Sequence, residues 1–266
     1  MTELYRVKDL TLSLPDLARK PLFGAAPRLE ILKGLDFTIS KGEVLGIVGG
    51  SGSGKSTLGR AMVRLLEPSG GRLHFDGTDI THLDDATLRP LRRRFQMIFQ
   101  DPMSSLNPRH RIATIIAGPL ELHGFDDVAR RVARALDQVG LPADLARRFP
   151  HEMSGGQRQR IGIARAIALE PDFILADEVV SGLDVSSQAR VLNLLERLVR
   201  DLGLTLAFIS HDLSVVRRLC QRVMVMQGGR IIETRPTAEL FATPEAAYTR
   251  ELLAAIPLPD PAQPWV

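Results

Sequence analysis

Residues Gly49-Gly50-Ser51-Gly52-Ser53-Gly54-Lys55-Ser56 follow the spacing G-x-x-x-x-G-K-[ST]. Glycines at those positions let the backbone curl so that successive amide hydrogens point inward at phosphate oxygens, and a helix that starts directly afterwards adds its positive end. In such a loop the Lys55 ammonium reaches the β- and γ-phosphates of a nucleoside triphosphate, and the Ser56 hydroxyl is a ligand for Mg²⁺. Thr57, the next residue, is grouped with the same nucleotide-binding run.

Two further groups could act on that phosphate. Phe173-Ile174-Leu175-Ala176-Asp177-Glu178 ends an apolar run in two carboxylates, where ligands collect in open α/β sheets. Asp177 can hold Mg²⁺ through its water shell, and Glu178 can polarise an attacking water. The bland alternative is that these acids cap the next helix, a reading the phosphate loop disfavours. His151-Glu152-Met153-Ser154-Gly155-Gly156-Gln157 opens a helical run, so its backbone amides and hydroxyl are suited to an anion at a helix start. The same residues would serve as an ordinary capped helix with Ser154 as N-cap, and spacing does not separate the two.

The elements around these groups alternate. Glu43 to Val48 reads as a buried strand entering the glycine loop, and Leu58, Ala61, Met62, Leu65 and Leu66 recur at helical spacing until Pro68 and Gly70-Gly71. Phe173–Ala176 and Thr205–Ile209 are two more buried-strand candidates flanked by amphipathic helical text, which argues for a parallel sheet covered on both faces. From about Ser104 to Ala168 helical periodicity dominates, so a helical subdomain is expected inside the α/β core. Arg222–Met226 and Arg230–Glu233 flank Gln227-Gly228-Gly229 as a hairpin, and Pro257, Pro259, Pro261 and Pro264 mark an extended tail.

Composition narrows the class. The chain has 266 residues, 44% of them hydrophobic, and a formal charge of +3, too small an excess to argue for nucleic acid by itself. Only five of its 34 basic residues are lysines, and Arg92-Arg93-Arg94 is the one basic cluster worth testing for nucleic acid, its expected role being a solvated face. A single cysteine, Cys220, excludes an internal disulfide. With no spanning segment or signal-peptide core in view, the expectation is a cytoplasmic chain that reaches a membrane only through a partner.

In order and spacing, the glycine loop, Ser154-Gly155-Gly156-Gln157 and Asp177-Glu178 resemble the nucleotide-binding subunit of ABC transporters over nearly the whole chain. The resemblance implies an α/β P-loop NTPase core with a mostly parallel sheet, N-terminal antiparallel β elements and an inserted α-helical subdomain. It implies a cassette over 1–245, with core at 1–103 and 169–245 and the helical signature subdomain at 104–168. It implies ATP and Mg²⁺ as cofactors. Gln100 then corresponds to the Q-loop glutamine at Mg²⁺ or the attacking water, Asp184 to the D-loop, and His211, 33 residues after Glu178, to the switch histidine near the γ-phosphate. Ser154, Gly155, Gly156 and Gln157 would complete the ATP site of an opposing subunit. Phe23 is the nearest candidate for stacking on adenine. This chain departs from the common Asp-Glu-Pro-Thr-Ser-Ala-Leu-Asp by reading Asp177-Glu178-Val179-Val180-Ser181-Gly182-Leu183-Asp184.

Phe99 to Arg109 and Tyr248 to Pro257 are similar to the peptide and nickel importer branch, although Ala246-Ala247 stands where a His-Pro is usual. The branch implies the smaller cassette of a heterodimeric pair, with a tail at 246–266. Its partners would be a second, paralogous ATPase subunit, two transmembrane permease subunits with a coupling helix docking near 89–119, and, indirectly, an extracytoplasmic solute-binding protein. The location would be peripheral, on the cytoplasmic face of the inner membrane, and the cargo a peptide, nickel or a metal chelate. The alternative is a non-transport ABC ATPase acting as a mechanical or regulatory switch.

Overall fold

The structure, a computed structural model, describes residues 2–21, 24–101 and 105–255. Two sheets carry it. The larger contains β3 (Val44–Val48), β6 (Phe95–Ile98), β7 (Phe173–Asp177), β8 (Thr205–Ile209), β9 (Arg222–Gln227) and β10 (Arg230–Pro236), in the order β10-β9-β3-β8-β7-β6. All neighbouring pairs in it are parallel except the β9–β10 hairpin. Every residue of β3, β7 and β8 is buried, the signature of central parallel strands covered on both faces. The smaller sheet is antiparallel, with β1 (Glu3–Pro15), β2 (Arg28–Ser40), β4 (Gly70–Phe75) and β5 (Thr78–Asp79) in the order β2-β1-β4-β5.

Helix α1 (Lys55–Met62) lies between the sheets, burying Leu58, Ala61 and Met62. An aromatic cluster fills the space beside it. The Tyr5 ring sits 5.0 Å from Phe75 and 4.7 Å from Phe173, and the buried Tyr5 hydroxyl donates to Met62 O at 3.1 Å. The apolar spacing predicts that this helix runs on to Leu66. Instead it stops at Met62, Arg64 turns left-handed with φ of 52°, and Leu65 is half exposed. Past the break, the N–H groups of Leu65 and Leu66 both turn back to Arg60 O, and the Arg64 guanidinium donates to Ile80 O at 2.7 Å and Leu83 O at 3.0 Å.

Beyond α2 (Asp85–Arg92) and β6 come α3 (Ile112–Leu122), α4 (Val128–Gln138), two short 3₁₀ turns and α5 (Gly155–Ile167). Helix α5 touches α3, α4 and β6, so it joins the helical segment to the sheet. The chain then returns through α6 (Val185–Leu202), α7 (Leu213–Leu219), α8 (Thr237–Ala242) and α9 (Ala247–Ala254). Arg92-Arg93-Arg94 is the solvated face expected only in part: Arg93 is exposed, while Arg92 and Arg94 are half-buried. Arg92 pairs with Asp85, Arg93 lies over the Phe125 ring, and Arg94 bridges Asp76 and Asp172 at 2.6 Å each. The prolines from 257 onward lie outside the described residues, and among the described residues no helix is long and apolar enough to cross a membrane.

Candidate nucleotide site

The glycine loop leaves the buried end of β3 and becomes α1 at Lys55. Its first residue, Gly49, has φ of 149°, and a Cβ there would stand 2.1 Å from the Met226 carbonyl oxygen of β9. Only glycine lets the loop turn this close to the neighbouring strand. Ser53 N–H donates to Gly50 O at 3.3 Å, and Ser53 O accepts the Gly229 N–H of the β9–β10 turn at 3.1 Å. Ser51 and Gly52 are exposed at the loop's crest, and Gly54, left-handed at φ of 100°, starts the helix that carries Thr57.

Lys55 is 7% exposed, and its ammonium donates to Gly49 O at 2.8 Å, Gly50 O at 2.9 Å and Ser53 Oγ at 3.4 Å. These acceptors are neutral. Burial pulls the lysine's pKa down while the charges of Glu178 and Asp177 push it up. A buried cation bonded to uncharged oxygens, in a glycine loop that opens a helix, fits the phosphates of a nucleotide.

Ser56 Oγ donates to Asp177 Oδ1 at 3.0 Å. Asp177 is 3% exposed, and burial raises its pKa, with the Ser56 hydrogen bond opposing. A buried carboxylate beside a hydroxyl fits a divalent cation that takes the rest of its ligands from phosphate and water, as Mg²⁺ does.

Glu178 has left-handed backbone, φ 48°, with its N–H donating to Ile209 O at 3.0 Å. That twist separates two adjacent carboxylates: Asp177 faces Ser56, whereas Glu178 meets residues from two other segments. Glu178 Oε2 accepts Gln100 Nε2 at 2.9 Å, and Oε1 lies 3.5 Å from His211 Nδ1. The His211 side chain is largely exposed, and the next residue, Asp212, caps α7 through the amides of Ser214 and Val215. A cavity of about 160 Å³ opens among Glu178, Leu183, Gln188, Ser210 and His211. The structure therefore brings Lys55, Ser56, Gln100, Asp177, Glu178 and His211 to one corner, at the carboxyl ends of β3, β7 and β8.

The remaining sequence candidates are elsewhere. Ser154 is the N-cap of α5, in a reciprocal box in which its Oγ accepts Gln157 N–H and Gln157 Oε1 accepts Ser154 N–H. Gly155 lies against Leu183 and Gly156 against Ser187, so these residues border the segment after Glu178 and not their own phosphate loop. Asp184 caps α6 through Ser187 N–H at 2.9 Å, and its bonds to Ser187 lower its pKa to about 2. Phe23 lies outside the described residues.

Sequence reasoning misses some of the residues that shape the loop. Gly229 supports Ser53, and the Tyr248 hydroxyl accepts the Gly50 N–H at 2.8 Å. Sequence pattern marks the first only as a turn and the second only as part of a family-like tail; no local pattern pairs residues this far apart in sequence.

Comparison with known proteins agrees with this geometry. The family described as ABC transporter matches residues 32–181. A Brucella ovis protein, provisionally named as a peptide import ATP-binding protein, is 55% identical over 236 residues, 88% of this chain and 74% of that protein. The glutathione import ATP-binding protein GsiA of Salmonella paratyphi A is 47% identical over 264 residues, 98% of this chain and 42% of that protein. Among solved structures, a dimeric ATP-binding cassette in a post-hydrolysis state, bound to ADP and Pi, superposes with a TM-score of 0.77 at 28% identity, covering 88% of this chain and 99% of that one. With its fold, its glycine loop and its paired carboxylates all of one kind, the chain belongs to the ABC transporter family, as an ATPase cassette.

Proposed function

We propose that the chain is the ATP-hydrolysing subunit of an importer, coupling hydrolysis to uptake of a small solute through two transmembrane permease subunits. The observation that carries the chemical part is the meeting of Gln100 and His211 on one carboxylate, Glu178, beside the Lys55 loop. The import part is supported by the names of relatives 55% and 47% identical to this chain. Those names favour a peptide as cargo over nickel or a metal chelate.

ATP supplies the γ-phosphoryl group, and Mg²⁺ the charge that neutralises its oxygens. Lys55 exchanges the carbonyls of Gly49 and Gly50 for the β- and γ-phosphates, and the amides from Gly52 to Thr57 line the phosphate chain. Ser56, Asp177 and Gln100 hold the metal side of the site. Glu178 takes a proton from the attacking water, which Gln100 and His211 orient; the water oxygen bonds to the γ-phosphorus as the bond to the β–γ bridging oxygen breaks, and ADP leaves with that oxygen. Ser154, Gly155, Gly156 and Gln157, with Asp184, act across an interface on the nucleotide of a second ATPase subunit, in this reading a paralogous chain. Residues 104–168 then form the signature subdomain, 246–266 the importer-branch tail, and the assembly sits on the inner face of the membrane, served by a solute-binding protein outside.

Reconstitution with the permease and ATPase subunits that co-purify with the chain tests this. Peptide uptake into vesicles that needs ATP, Mg²⁺ and an intact Glu178 is expected. Salt-sensitive binding to DNA without any co-purifying integral membrane protein would overturn the import reading.

A further inference from the structure

The phosphate loop is held partly from outside itself, by the last described helix. Tyr248 of α9 accepts the Gly50 N–H at 2.8 Å across 198 positions of sequence, while Gly50 O accepts Lys55 Nζ at 2.9 Å. The peptide unit between Gly49 and Gly50 is thus fixed at its amide by the C-terminal helix and at its carbonyl, Gly49 O, by Lys55 Nζ at 2.8 Å, and the same lysine holds the next carbonyl, Gly50 O. A Cβ on Gly50 would stand 3.0 Å from the tyrosine oxygen, so the hydroxyl occupies the space a side chain would take. The half-buried Tyr248 ring packs on the apolar core.

Helix α9 is anchored in turn. It has no side-chain cap of its own, and Glu233 of β10 supplies one from a distance: its two oxygens accept the N–H groups of Glu245 at 2.9 Å and Ala246 at 3.0 Å. Glu233 is 8% exposed, and Arg250 Nη1 closes the turn on Pro244 O and Glu245 O. Strand β10 pairs with β9, whose Met226 carbonyl bounds Gly49. The loop's first two residues are therefore enclosed by one strand and by a helix tethered to that strand's partner.

We propose that Tyr248 is a positioning residue of the nucleotide site: its hydroxyl holds Gly49-Gly50 in the conformation that receives the phosphates, and bound nucleotide in turn firms α9. The proposal rests on reading residues 49–56 as the phosphate site. When Lys55 leaves Gly49 O and Gly50 O for phosphate, the Tyr248 bond is the side-chain anchor that stays on this segment. Without it the nucleotide-free loop samples more conformations, and affinity falls by the fraction of competent loop that is lost. A single hydrogen bond of ordinary strength corresponds to a three- to tenfold change, roughly. Reciprocity requires the ligand to stabilise the helix by the same factor.

The test compares the full chain with Tyr248→Phe, which keeps the ring and removes one oxygen, and with Lys55→Ala. Binding of a fluorescent ADP analogue with Mg²⁺ is titrated, the unfolding midpoint is measured without nucleotide, and amide hydrogen exchange of residues 247–254 is followed with and without ADP. Tyr248→Phe is expected to raise Kd about three- to tenfold, to lower the nucleotide-free midpoint only slightly, because the loosened loop stays folded, and to lose most of the ADP protection of α9. A merely structural tyrosine would shift the midpoint and leave Kd alone. Wild-type affinity in Tyr248→Phe, with Lys55→Ala unable to bind, overturns the tyrosine's role alone. Binding by Lys55→Ala equal to wild type overturns the phosphate-loop reading and the tyrosine's role with it.

Discussion

At the scale of single residues the site depends on backbone that side chains rarely allow. Glu178 is left-handed, φ 48°, and that turn lets neighbouring carboxylates serve different partners, Ser56 for Asp177 and Gln100 with His211 for Glu178. Glu178→Gln keeps the shape and removes the carboxylate proposed as the base. ATP turnover in the assembled complex is expected to fall by about 10²- to 10⁴-fold while ATP still binds, and steady-state phosphate release beside equilibrium binding measures both. Gly49→Ala is a harsher change, because the new Cβ would sit 2.1 Å from a β-strand carbonyl that cannot swing away. A loss of about 2–3 kcal/mol in stability is expected by urea unfolding, with nucleotide affinity lost as well. The types and order of Lys55, Ser56, Asp177 and Glu178 are legible in the sequence because phosphate and metal chemistry asks for them, whereas Gln100 and His211 are read there only through the family resemblance. The Tyr248–Gly50 contact is not legible, since tertiary packing alone joins them. Arg93 and Arg94 escape a local reading for a similar reason: their partners Asp76, Phe125 and Asp172 are remote in sequence, whereas Arg92 pairs with Asp85 of its own helix.

Elements are legible where burial is complete. Strands β3, β7 and β8 have no exposed residue, so an unbroken apolar run announces each of them. Helix α1 is overextended by its pattern because Leu65 and Leu66 continue the spacing, whereas the chain turns left-handed at Arg64, whose side chain bonds the remote carbonyls of Ile80 and Leu83. The antiparallel sheet leaves a fainter trace and is expected only from the family resemblance. Its β4–β5 hairpin is fastened by Asp79, which accepts from Thr81 N–H at 2.9 Å and pairs with Arg72 at 2.8 Å. Burial pushes the Asp79 carboxyl up, but the Thr81 and Arg72 contacts outweigh it and bring the pKa to about 2, from 3.8. In the acid range the unfolded chain therefore takes the proton first. The stabilisation is present above about pH 4 and is lost as pH falls towards 2. Asp79→Asn should lower the urea midpoint at neutral pH, and that deficit should shrink on acidification through this window. A deficit independent of pH would mean that the carboxylate's charge has no part in holding the hairpin.

For the whole molecule, the arrangement of helix α5 is the decisive fact. Its cap, Ser154, and the glycines after it border Leu183 and Ser187, while the phosphate loop lies at the end of β3. A helix start with small residues suits an anion, yet within this chain the nucleotide's phosphates would be held at another place. Under the proposed function, the two halves of such a site would meet when a second cassette is apposed. Ser154→Arg separates this from a site closed within one chain, because the substitution fills the helix start without touching Lys55, Glu178 or the loop. Nucleotide binding by the isolated full chain should match wild type, whereas hydrolysis by the assembled complex should drop about a hundredfold at the opposing site, the order expected when preorganised donors to a transferring phosphoryl group are lost. If the isolated Ser154→Arg chain binds nucleotide as poorly as Lys55→Ala, the signature serves its own loop and the composite site is wrong. If the complex keeps full turnover, the helix start is an ordinary cap after all, the alternative that spacing alone does not separate.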